Sequence, residues 1–214
     1  MPGDHANPLQ RRTAARTAVV WNGLRSALEG ALDAPGAGDG LQVVDIGGGT
    51  GGFAVRVAEL GHQVTVVDPS PDALAILARR AEESGVADRV RAVQGDLDTL
   101  PDVVPAGSAD AVLCHGVLEI VDDPARALAA IGTALRPGGV LSLLVNQRHA
   151  AVVARAMAGH FGQARDLLDG TAGTAPDHPR RFTVAELAEL LDRAGFQTTA
   201  THAVRVFVDL VPSS

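Results

Sequence analysis

A run of glycines directly after a short apolar segment is the feature that most restricts how this chain can fold. Residues 41–46 have the apolar character of a buried strand, and Gly47-Gly48-Gly49-Thr50-Gly51 follows them. Glycine permits positive φ and lets a ligand approach the backbone and the start of the next helix. Open α/β sheets bind ligands at such a turn, beyond the carboxyl end of the first strand. The pattern therefore predicts an α/β protein with a ligand site at residues 45–51.

The rest of the chain alternates strand-like runs with helical periodicity. After a helix over residues 9–32, five strands are predicted, and the turn Arg136-Pro137-Gly138-Gly139 leads into the fifth. These strands are residues 41–46, 63–67, 90–94, 109–114 and 140–145. Two further runs, 197–202 and 203–210, have no helix between them, so we expect an antiparallel last strand. The sequence thus predicts one domain, residues 1–214, with a Rossmann-like, doubly wound, seven-stranded and mostly parallel sheet.

The two ends of the chain are expected to cover the site. Residues 1–8 are predicted to be a disordered start, and the helix over residues 9–32 to lie over the ligand site. Residues 150–168 have the periodicity of one helix, and residues 169–179 have the composition of an exposed loop. Because the connection 148–181 follows the fifth strand and is long, it is predicted to be a lid over an acceptor pocket.

Acidic residues indicate which ligand the glycine turn is built for. Gly47, Gly49 and Gly52 also satisfy the dinucleotide pattern G-x-G-x-x-G, and Asp68 lies about 20 residues further on, where NAD enzymes place a ribose-binding acid. Asp45, two residues before Gly47, can instead meet a cationic group such as an α-ammonium. The pyrophosphate of NAD offers no such cation. An NAD-dependent oxidoreductase and a purely structural turn remain the alternatives at this point.

Two further acids are candidate contacts for a nucleoside. Asp68 ends the second strand before Pro69, and its carboxylate can accept hydrogen bonds from both hydroxyls of a ribose. Asp96 follows the third strand and can accept from an adenine amino group, while Gly95 leaves its N–H free. Each acid also has a structural interpretation, as a helix-entry acid for Asp68 and a turn acid for Asp96. Together with Asp45, these residues favour S-adenosylmethionine as the cofactor.

The same residues resemble the ordered motifs of the class I S-adenosylmethionine-dependent methyltransferases. This resemblance runs from about residue 41 to residue 145 and rests on the glycine turn, Asp68, Gly95-Asp96 and residues 135–139. A narrower resemblance, to the tRNA 5-carboxymethoxyuridine methyltransferases, covers nearly the whole chain. The segments that carry it are residues 15–21, 115–119, 135–143, 158–161 and 204–207.

The narrower resemblance implies roles for further residues. Enzymes of that family esterify a carboxylate on a wobble uridine. Arg16 is implied to hold the carboxylate of the cofactor, His115 to line the cofactor near its methyl group, and Arg205 to lie on the substrate side. A carboxylate acceptor needs no general base at neutral pH but needs a cation to orient it, for which Arg148 and Arg205 are candidates. If the acceptor is a hydroxyl or an amine, His115 is the candidate catalytic base.

Charge bears on the nature of the acceptor. The chain has 18 Lys+Arg against 25 Asp+Glu, a net charge of −7, and its aromatic content is 3%. Such a surface does not attract a phosphate backbone as a whole, so no broad nucleic-acid-binding patch is expected, although a local basic site is compatible with it. In residues 162–179, Arg165 stands beside Asp166, Asp169 and Asp177. A small-molecule O- or N-methyltransferase is therefore the alternative to a tRNA enzyme, and a non-catalytic cofactor-binding module is a third interpretation.

The cysteine content and the apolar segments limit which classes of protein and which kinds of site remain possible. The one cysteine, Cys114, excludes an internal disulfide and a cysteine-based zinc site. His149, His160 and His178 match no compact metal-ligand spacing, so no metal is expected. The sequence shows neither a membrane-spanning segment nor the apolar run of a signal peptide. We expect a cytoplasmic protein with no membrane partner.

Overall fold

The computed structural model describes residues 8–33, 39–170 and 179–204, and only the backbone of residues 8–16. The elements in these residues are α1 (Pro8–Leu32), β1 (Gln42–Ile46), α2 (Ala54–Glu59), β2 (Gln63–Asp68), α3 (Pro71–Glu83), β3 (Val90–Gln94), α4 (Leu100–Val103), β4 (Ala109–His115), α5 (Pro124–Ala134), β5 (Leu135–Leu144), α6 (Arg148–Met157), α7 (Phe161–Leu168) and α8 (Val184–Arg193). A short 3-10 turn, Ala87–Arg89, precedes β3. None of these helices is long and apolar enough to cross a membrane.

The strands form one parallel sheet with the order β3-β2-β1-β4-β5. The chain adds β2 and β3 on one side of β1, and then β4 and β5 on the other side. The point between β1 and β4, where the direction of addition reverses, is where open α/β sheets leave a crevice for ligands at their carboxyl edge. The predicted Rossmann-like α/β class is confirmed, and the crevice lies next to the glycine turn.

Helices cover both faces of this sheet. Leu28 of α1, Val57 of α2 and Leu77 of α3 are fully buried in the core on one face. Leu128 and Ile131 of α5 are fully buried in the core on the other face. Because each strand alternates its side chains between the two cores, the sheet is apolar on both sides, as a doubly wound sheet requires.

Several helices begin at side chains that satisfy otherwise free backbone N–H groups. Ser70 Oγ accepts the N–H of Ala73 at 3.2 Å at the start of α3, and the Asp123 side chain caps α5 in the same way. Thr183 and Glu186 form a reciprocal capping box at the start of α8. Such caps define where a helix starts, and here they fix the chain directions on either side of the sheet.

Helix α1 corresponds to the predicted N-terminal helix and begins at Pro8, one residue earlier. Pro8 is therefore helical, although it falls in the start predicted to be disordered, while residues 1–7 lie outside the described residues. Leu24, Leu28 and Ala31 are buried on one side of α1. This apolar stripe holds the helix against the sheet.

The prediction of seven strands with an antiparallel last strand is wrong for the described part of the chain, which has five parallel strands. Residues 197–202 form no strand there. Gln197, Thr198 and Thr199 are exposed, and the run lacks alternating large apolar side chains that could pack on the sheet. Threonine favours a strand only where it packs against neighbours, so propensity alone misled the prediction. Of the run 203–210, residues 205–210 lie outside the described residues.

The single helix predicted over residues 150–168 is two helices. α6 ends at Met157 and α7 begins at Phe161. Between them Gly159 has φ 80°, a left-handed conformation that ends a helix and that glycine adopts without strain. The two helices therefore form a hairpin, which we call the α6–α7 hairpin.

The turn predicted at residues 136–139 is also assigned differently. It is the irregular start of β5, which follows α5 without a connecting loop. The pairing of β4 with β5 shifts register between Ala109 and Ala111, and this irregularity accommodates the proline and the two glycines within the strand.

Candidate active site

Three polar side chains come together on one face of the sheet at its carboxyl edge. Residues two positions apart on a strand face the same side. Asp45 on β1, Asp68 on β2 and His115 on β4 each lie two positions beyond a residue of the core under α1, α2 and α3. All three therefore face the same layer, next to the crevice between β1 and β4.

Asp45 is a buried carboxylate that lacks a partner among the described residues. Its exposed fraction is 4%, and no described residue donates a hydrogen bond to it or pairs with it as a cation. Burial, and to a lesser extent the charge of Asp68, raises the pKa of Asp45 to about 7. A buried carboxylate is costly unless it is paired, so this position is complementary to a cation that can donate hydrogen bonds.

Asp68 is held in one orientation by backbone groups. Its Oδ2 accepts the N–H of Gly49 at 2.8 Å, and its Oδ1 accepts the N–H of Ser70 at 2.9 Å. Each carboxylate oxygen can accept a second hydrogen bond, as the hydroxyls of a ribose would require. The carbonyl of Asp68 accepts the N–H of Gly95 at 3.2 Å, so the prediction that this N–H is free is wrong.

The glycine turn brings the backbone close to both acids. The N–H of Gly47 donates to the carbonyl of Val67 at 2.8 Å, which keeps the turn beside β2. A Cβ at Gly48 would lie 2.6 Å from Oδ2 of Asp45, and Gly49 has φ 54°. A side chain at Gly48 would therefore displace the carboxylate, and one at Gly49 would strain the backbone that donates to Asp68.

Gly52 behaves differently from these glycines. A Cβ added there would meet nothing within 4 Å, and its φ lies outside the left-handed region. In the dinucleotide fingerprint, the third glycine allows the helix to pack closely on the strand. Since no such packing exists at Gly52, the match to G-x-G-x-x-G lacks its structural reason. The NAD interpretation loses its support at this residue.

Side-chain bonds join the ends of β2 and β3. The carbonyl of Pro69 accepts from the amide of Gln94 at 3.2 Å. Oδ1 of Asp96 accepts the N–H groups of Asp98 and Thr99 and the hydroxyl of Thr99, each at 3.0 Å. The backbone hydrogen bond from Thr99 is the main reason why the pKa of Asp96 is lowered. Asp96 is thus a turn acid that leads into α4, and Oδ2 accepts none of these bonds.

His115 is packed within a row of aromatic rings. Its Nε2 is 2.9 Å from Oγ of Ser142, and Phe53 meets its ring edge-on with centroids 5.1 Å apart. Phe53 also stacks on Trp21 at 6.5 Å, and the guanidinium of Arg56 lies 3.8 Å from the centre of the Trp21 ring. The row forms an apolar wall that connects α1 to the carboxyl end of β4.

Two members of this wall, Phe53 and Ser142, were not predicted to belong to the site. Phe53 directly follows the glycine turn, and Ser142 is a hydroxyl inside the otherwise apolar run of β5. Both signals are visible in the sequence, but the pairing of Ser142 with His115 depends on the register between β4 and β5.

Of the three arginines predicted to belong to the site, only Arg148 has a side chain among the described residues. Arg16 lies in α1, but its side chain is outside the described residues, as is the whole of Arg205. Arg148 begins α6, and its guanidinium lies 2.8 Å from Oε1 of Glu186 and 3.4 Å from the carbonyl of Arg181. Arg148 therefore holds local structure, and a contact between it and an acceptor stays a prediction.

The predicted lid segment is tied to the sheet at its two ends. The buried Glu119 accepts the N–H of Asn146 at 2.7 Å through Oε1, and its carbonyl accepts the N–H of Arg180 at 3.0 Å. The N–H of Phe182 donates to the carbonyl of Asn146, and the N–H of Arg148 to the carbonyl of Phe182. We call this network the Glu119 clamp. The sequence predicted no such role for Glu119.

No group of three His, Cys, Asp or Glu residues in the described ranges could hold a metal ion. Cys114 is buried, and burial, with a smaller contribution from the charge of Glu119, raises the pKa of its thiol to about 12. The thiol of Cys114 is therefore a small core group rather than a nucleophile.

The sheet order, the glycine turn and the unpaired buried acid define a Rossmann-like domain for a cationic nucleoside cofactor. Comparison with known proteins agrees: residues 44–143 match the family model described as a methyltransferase domain. The chain is 34% identical over 196 residues to the tRNA 5-carboxymethoxyuridine methyltransferase of Escherichia coli K12, covering 91% of this chain and 72% of that protein.

Two further comparisons agree with this result. The chain is 38% identical over 159 residues to the ubiquinone biosynthesis O-methyltransferase of Xanthomonas axonopodis pv. citri, covering 74% of this chain and 63% of that protein. A Thermotoga maritima structure, described as a S-adenosylmethionine-dependent methyltransferase and possible histamine N-methyltransferase, superposes with TM-score 0.56 at 25% identity, covering 89% of this chain and 76% of that one. The chain belongs to the class I S-adenosylmethionine-dependent methyltransferases, and S-adenosylmethionine is its cofactor.

Proposed function

We propose that this methyltransferase esterifies a carboxylate, and that its acceptor is the 5-carboxymethoxyuridine of tRNA. The observation that carries the proposal is the similarity to tRNA 5-carboxymethoxyuridine methyltransferases, which extends over 91% of this chain and 72% of the relative. It includes the residues outside the shared methyltransferase domain, where an acceptor is expected to bind.

The residues at the carboxyl edge fit the proposed cofactor. Asp45 is buried with no described partner, and we assign it to the α-ammonium group. Asp68, whose oxygens are oriented by two backbone N–H groups, is assigned to the ribose hydroxyls. The backbone of Gly47, Gly48 and Gly49 would pass beside the ligand. When bound, S-adenosylmethionine supplies an electrophilic methyl group on its sulfonium.

The remaining contacts are assigned from the family resemblance and from position in the fold. Arg16 is assigned to the cofactor carboxylate because of its place in the family resemblance. Pro69, Gly95 and Asp96 are assigned to the adenosine side, since they lie together at the ends of β2 and β3. Oδ2 of Asp96, which takes no part in the turn into α4, is the atom available to an adenine amino group.

For this reaction the protein has to position the acceptor and exclude water. A carboxylate is ionised at neutral pH, so the reaction needs no group to remove a proton. Phe53 and Trp21 shield the side of the site under α1, and Ser142 fixes the ring of His115 through a hydrogen bond. We therefore assign His115 to the wall of the pocket. Placement of this kind can supply most of the rate enhancement.

The acceptor side is assigned to the segment that begins at Arg148. Arg148 and Arg205 are the proposed cations for the acceptor carboxylate, and a bidentate grip suits an arginine. The closure of the predicted lid segment over the pocket stays a prediction, supported by the Glu119 clamp, which places both of its ends at the carboxyl edge of the sheet.

A small-molecule O-methyltransferase is the second candidate. Two observations favour it: the net charge of −7, and the 38% identity to an enzyme named for ubiquinone biosynthesis. With a hydroxyl acceptor, His115 would be the candidate general base.

The test is methyl transfer to defined acceptors by the purified protein. Transfer RNA that carries 5-carboxymethoxyuridine, tRNA that lacks the modification, and a catechol such as caffeic acid are each incubated with labelled S-adenosylmethionine. Label that appears only in the modified nucleoside, and is lost on mild alkaline hydrolysis of the ester, is the expected result. Label in the catechol, with none in tRNA, would replace the proposed acceptor by the second candidate.

A further inference from the structure

The α6–α7 hairpin buries little of its own surface. No residue of α6 is fully buried, and in α7 only Ala164 is. Met157 and Phe161, on either side of the turn between the helices, are 67% and 72% exposed. Large apolar side chains with this exposure, at the far end of a helical hairpin, indicate a surface that binds something.

The charge of the hairpin is opposite to that of the chain as a whole. Residues 148–168 include three arginines, two histidines and one acidic residue, Asp166, in a chain whose net charge is −7. Arg148 is paired with Glu186, but Arg155 and Arg165 are exposed and form no ion pair with a described carboxylate. Two unpaired guanidinium groups therefore flank the exposed apolar side chains.

The position of the hairpin relates it to the active site. α6 starts four residues after β5, beside the Glu119 clamp. At 1.5 Å per residue, α6 is about 15 Å long, so the turn lies within about that distance of the start of α6 beside the Glu119 clamp. A polymer whose reacting group occupies the site would have its neighbouring units within reach of that turn.

We propose that the hairpin tip, which consists of Arg155, Met157, His160, Phe161 and Arg165, binds the single-stranded RNA beside the acceptor nucleotide. This inference rests on the proposed function, in that the acceptor is a tRNA. Phe161 offers a ring on which an unpaired base can stack, and the two arginines can contact phosphates on either side. The histidine adds a hydrogen-bonding group to the same surface.

Charge favours RNA over a lipid surface as the occupant. An interfacial membrane helix needs a wide apolar face that sinks into the bilayer, and here the apolar side chains of the tip are two. A flexible RNA strand needs only a local basic strip and a ring for stacking, and both are present at the tip.

The test measures binding of a tRNA anticodon stem-loop, made without modifications, by fluorescence anisotropy at several salt concentrations. The double variant Arg155→Glu/Arg165→Glu should lose at least tenfold in affinity, and its salt slope should be shallower by about 1.4. Phe161→Ala should lose about tenfold, Phe161→Leu should lose as much, and Phe161→Trp should retain binding, because only a ring can stack on a base.

The matched control is Arg79→Glu on α3, whose side chain is 72% exposed and lies outside the hairpin. It should bind the stem-loop within about twofold of the wild type after allowance for its general charge effect. Calorimetric titration with S-adenosylhomocysteine verifies that each hairpin variant is folded. The carboxyl edge formed by Asp45, residues 47–49 and Asp68, which we call the cofactor edge, lies outside the hairpin.

The outcomes separate this inference from the proposed function. Hairpin variants that bind RNA like the wild type, or a wild-type protein that binds anionic vesicles and no RNA, would overturn the inference. A Phe161→Leu variant that retains full binding would also overturn it, because it would show apolar docking instead of stacking. RNA binding through the tip without methyl transfer to 5-carboxymethoxyuridine would overturn the proposed acceptor and leave the inference standing.

Discussion

The cofactor edge of the sheet and the α6–α7 hairpin hold their polar groups in opposite ways. At the cofactor edge, Asp68 is fixed by two backbone N–H groups and Asp45 is buried beneath the glycine turn. On the hairpin, Arg155, Phe161 and Arg165 are exposed, and the backbone hydrogen bonds of the Glu119 clamp attach its first residue to the end of the sheet. The residues that we assign to the cofactor are thus held by the core, whereas the residues that we propose for the acceptor lie on the surface.

The largest expected effect comes from removing the buried charge at the cofactor edge. Asp45→Asn keeps the shape of the side chain but cannot pair with an ammonium group, so affinity for S-adenosylhomocysteine should fall by about 100-fold or more. Isothermal titration calorimetry measures this loss. The double variant of the hairpin tip, Arg155→Glu/Arg165→Glu, is the control from the other region and should keep the affinity. Equal affinity in Asp45→Asn and the wild type would show that the acid does not meet the cofactor.

The same substitution should stabilise the cofactor-free protein at alkaline pH. The folded pKa of Asp45 is about 7, above its ordinary value of 3.8, so its contribution is fully present below pH 4 and is lost as pH rises through 7. The cost of the buried charge above pH 7 is on the order of 4 kcal/mol. Asp45→Asn should therefore unfold at a higher temperature than the wild type at pH 8 and at a similar temperature at pH 4. A difference in melting temperature that does not change with pH would contradict the buried, unpaired carboxylate.

Two glycines, Gly48 and Gly52, offer a finer test within the cofactor edge. Gly48→Ala places a methyl group against Oδ2 of Asp45 and should weaken cofactor binding by about tenfold, because the carboxylate must move. Gly52→Ala adds a methyl group in open space and should bind like the wild type. Titration calorimetry of both variants measures the contrast. If Gly52→Ala were the weaker binder, the dinucleotide-type packing would have to be reconsidered.

His115, at the end of β4 on the same face as Asp45, should have a smaller effect. As a wall residue held by Ser142, its replacement by alanine should lower the rate of ester formation by less than about tenfold and leave the shape of the pH–rate profile unchanged. A general base typically contributes a hundredfold or more. A loss of that size, together with a missing limb of the profile, would assign the base role to His115.

The smallest effect is expected at the start of α8, which follows the Glu119 clamp. Thr183→Ala removes one half of the capping box of α8 and should lower the free energy of unfolding by about 1 kcal/mol. Urea denaturation measures the loss, and affinity for S-adenosylhomocysteine should be unchanged. Weakened cofactor binding in this variant would mean that the acceptor side and the cofactor edge are coupled more tightly than their contacts indicate.

The parts of the molecule that the sequence predicts well are those governed by local pattern. The glycine turn and Asp45 follow from a strand that ends in glycines, and Asp68 follows from its place at the end of the next strand. The parallel sheet follows from the alternation of strand-like runs with helical segments along the chain. The strand predicted over residues 197–202 rested on a strand-like run, which local pattern cannot separate from an exposed extended segment.

Contacts between distant segments could not be predicted in the same way. The pairs Arg148–Glu186 and His115–Ser142 join residues that are far apart in the chain, and they depend on sheet register and helix packing. Glu119 has no local motif, yet it joins the ends of a long connection. The predicted free N–H of Gly95 was wrong for the same reason, since its acceptor belongs to the neighbouring strand.

The Glu119 clamp has a consequence for how this enzyme can be altered. Since the clamp holds residues 146–148 beside residues 180–182, the segment between them starts and finishes at one place on the body of the domain. Doubling the length of a flexible connection adds only about 0.6 kcal/mol of closure entropy. Segments of different lengths should therefore fit between the same two anchor points with little change in the free energy of closure, while the glycine turn stays as it is.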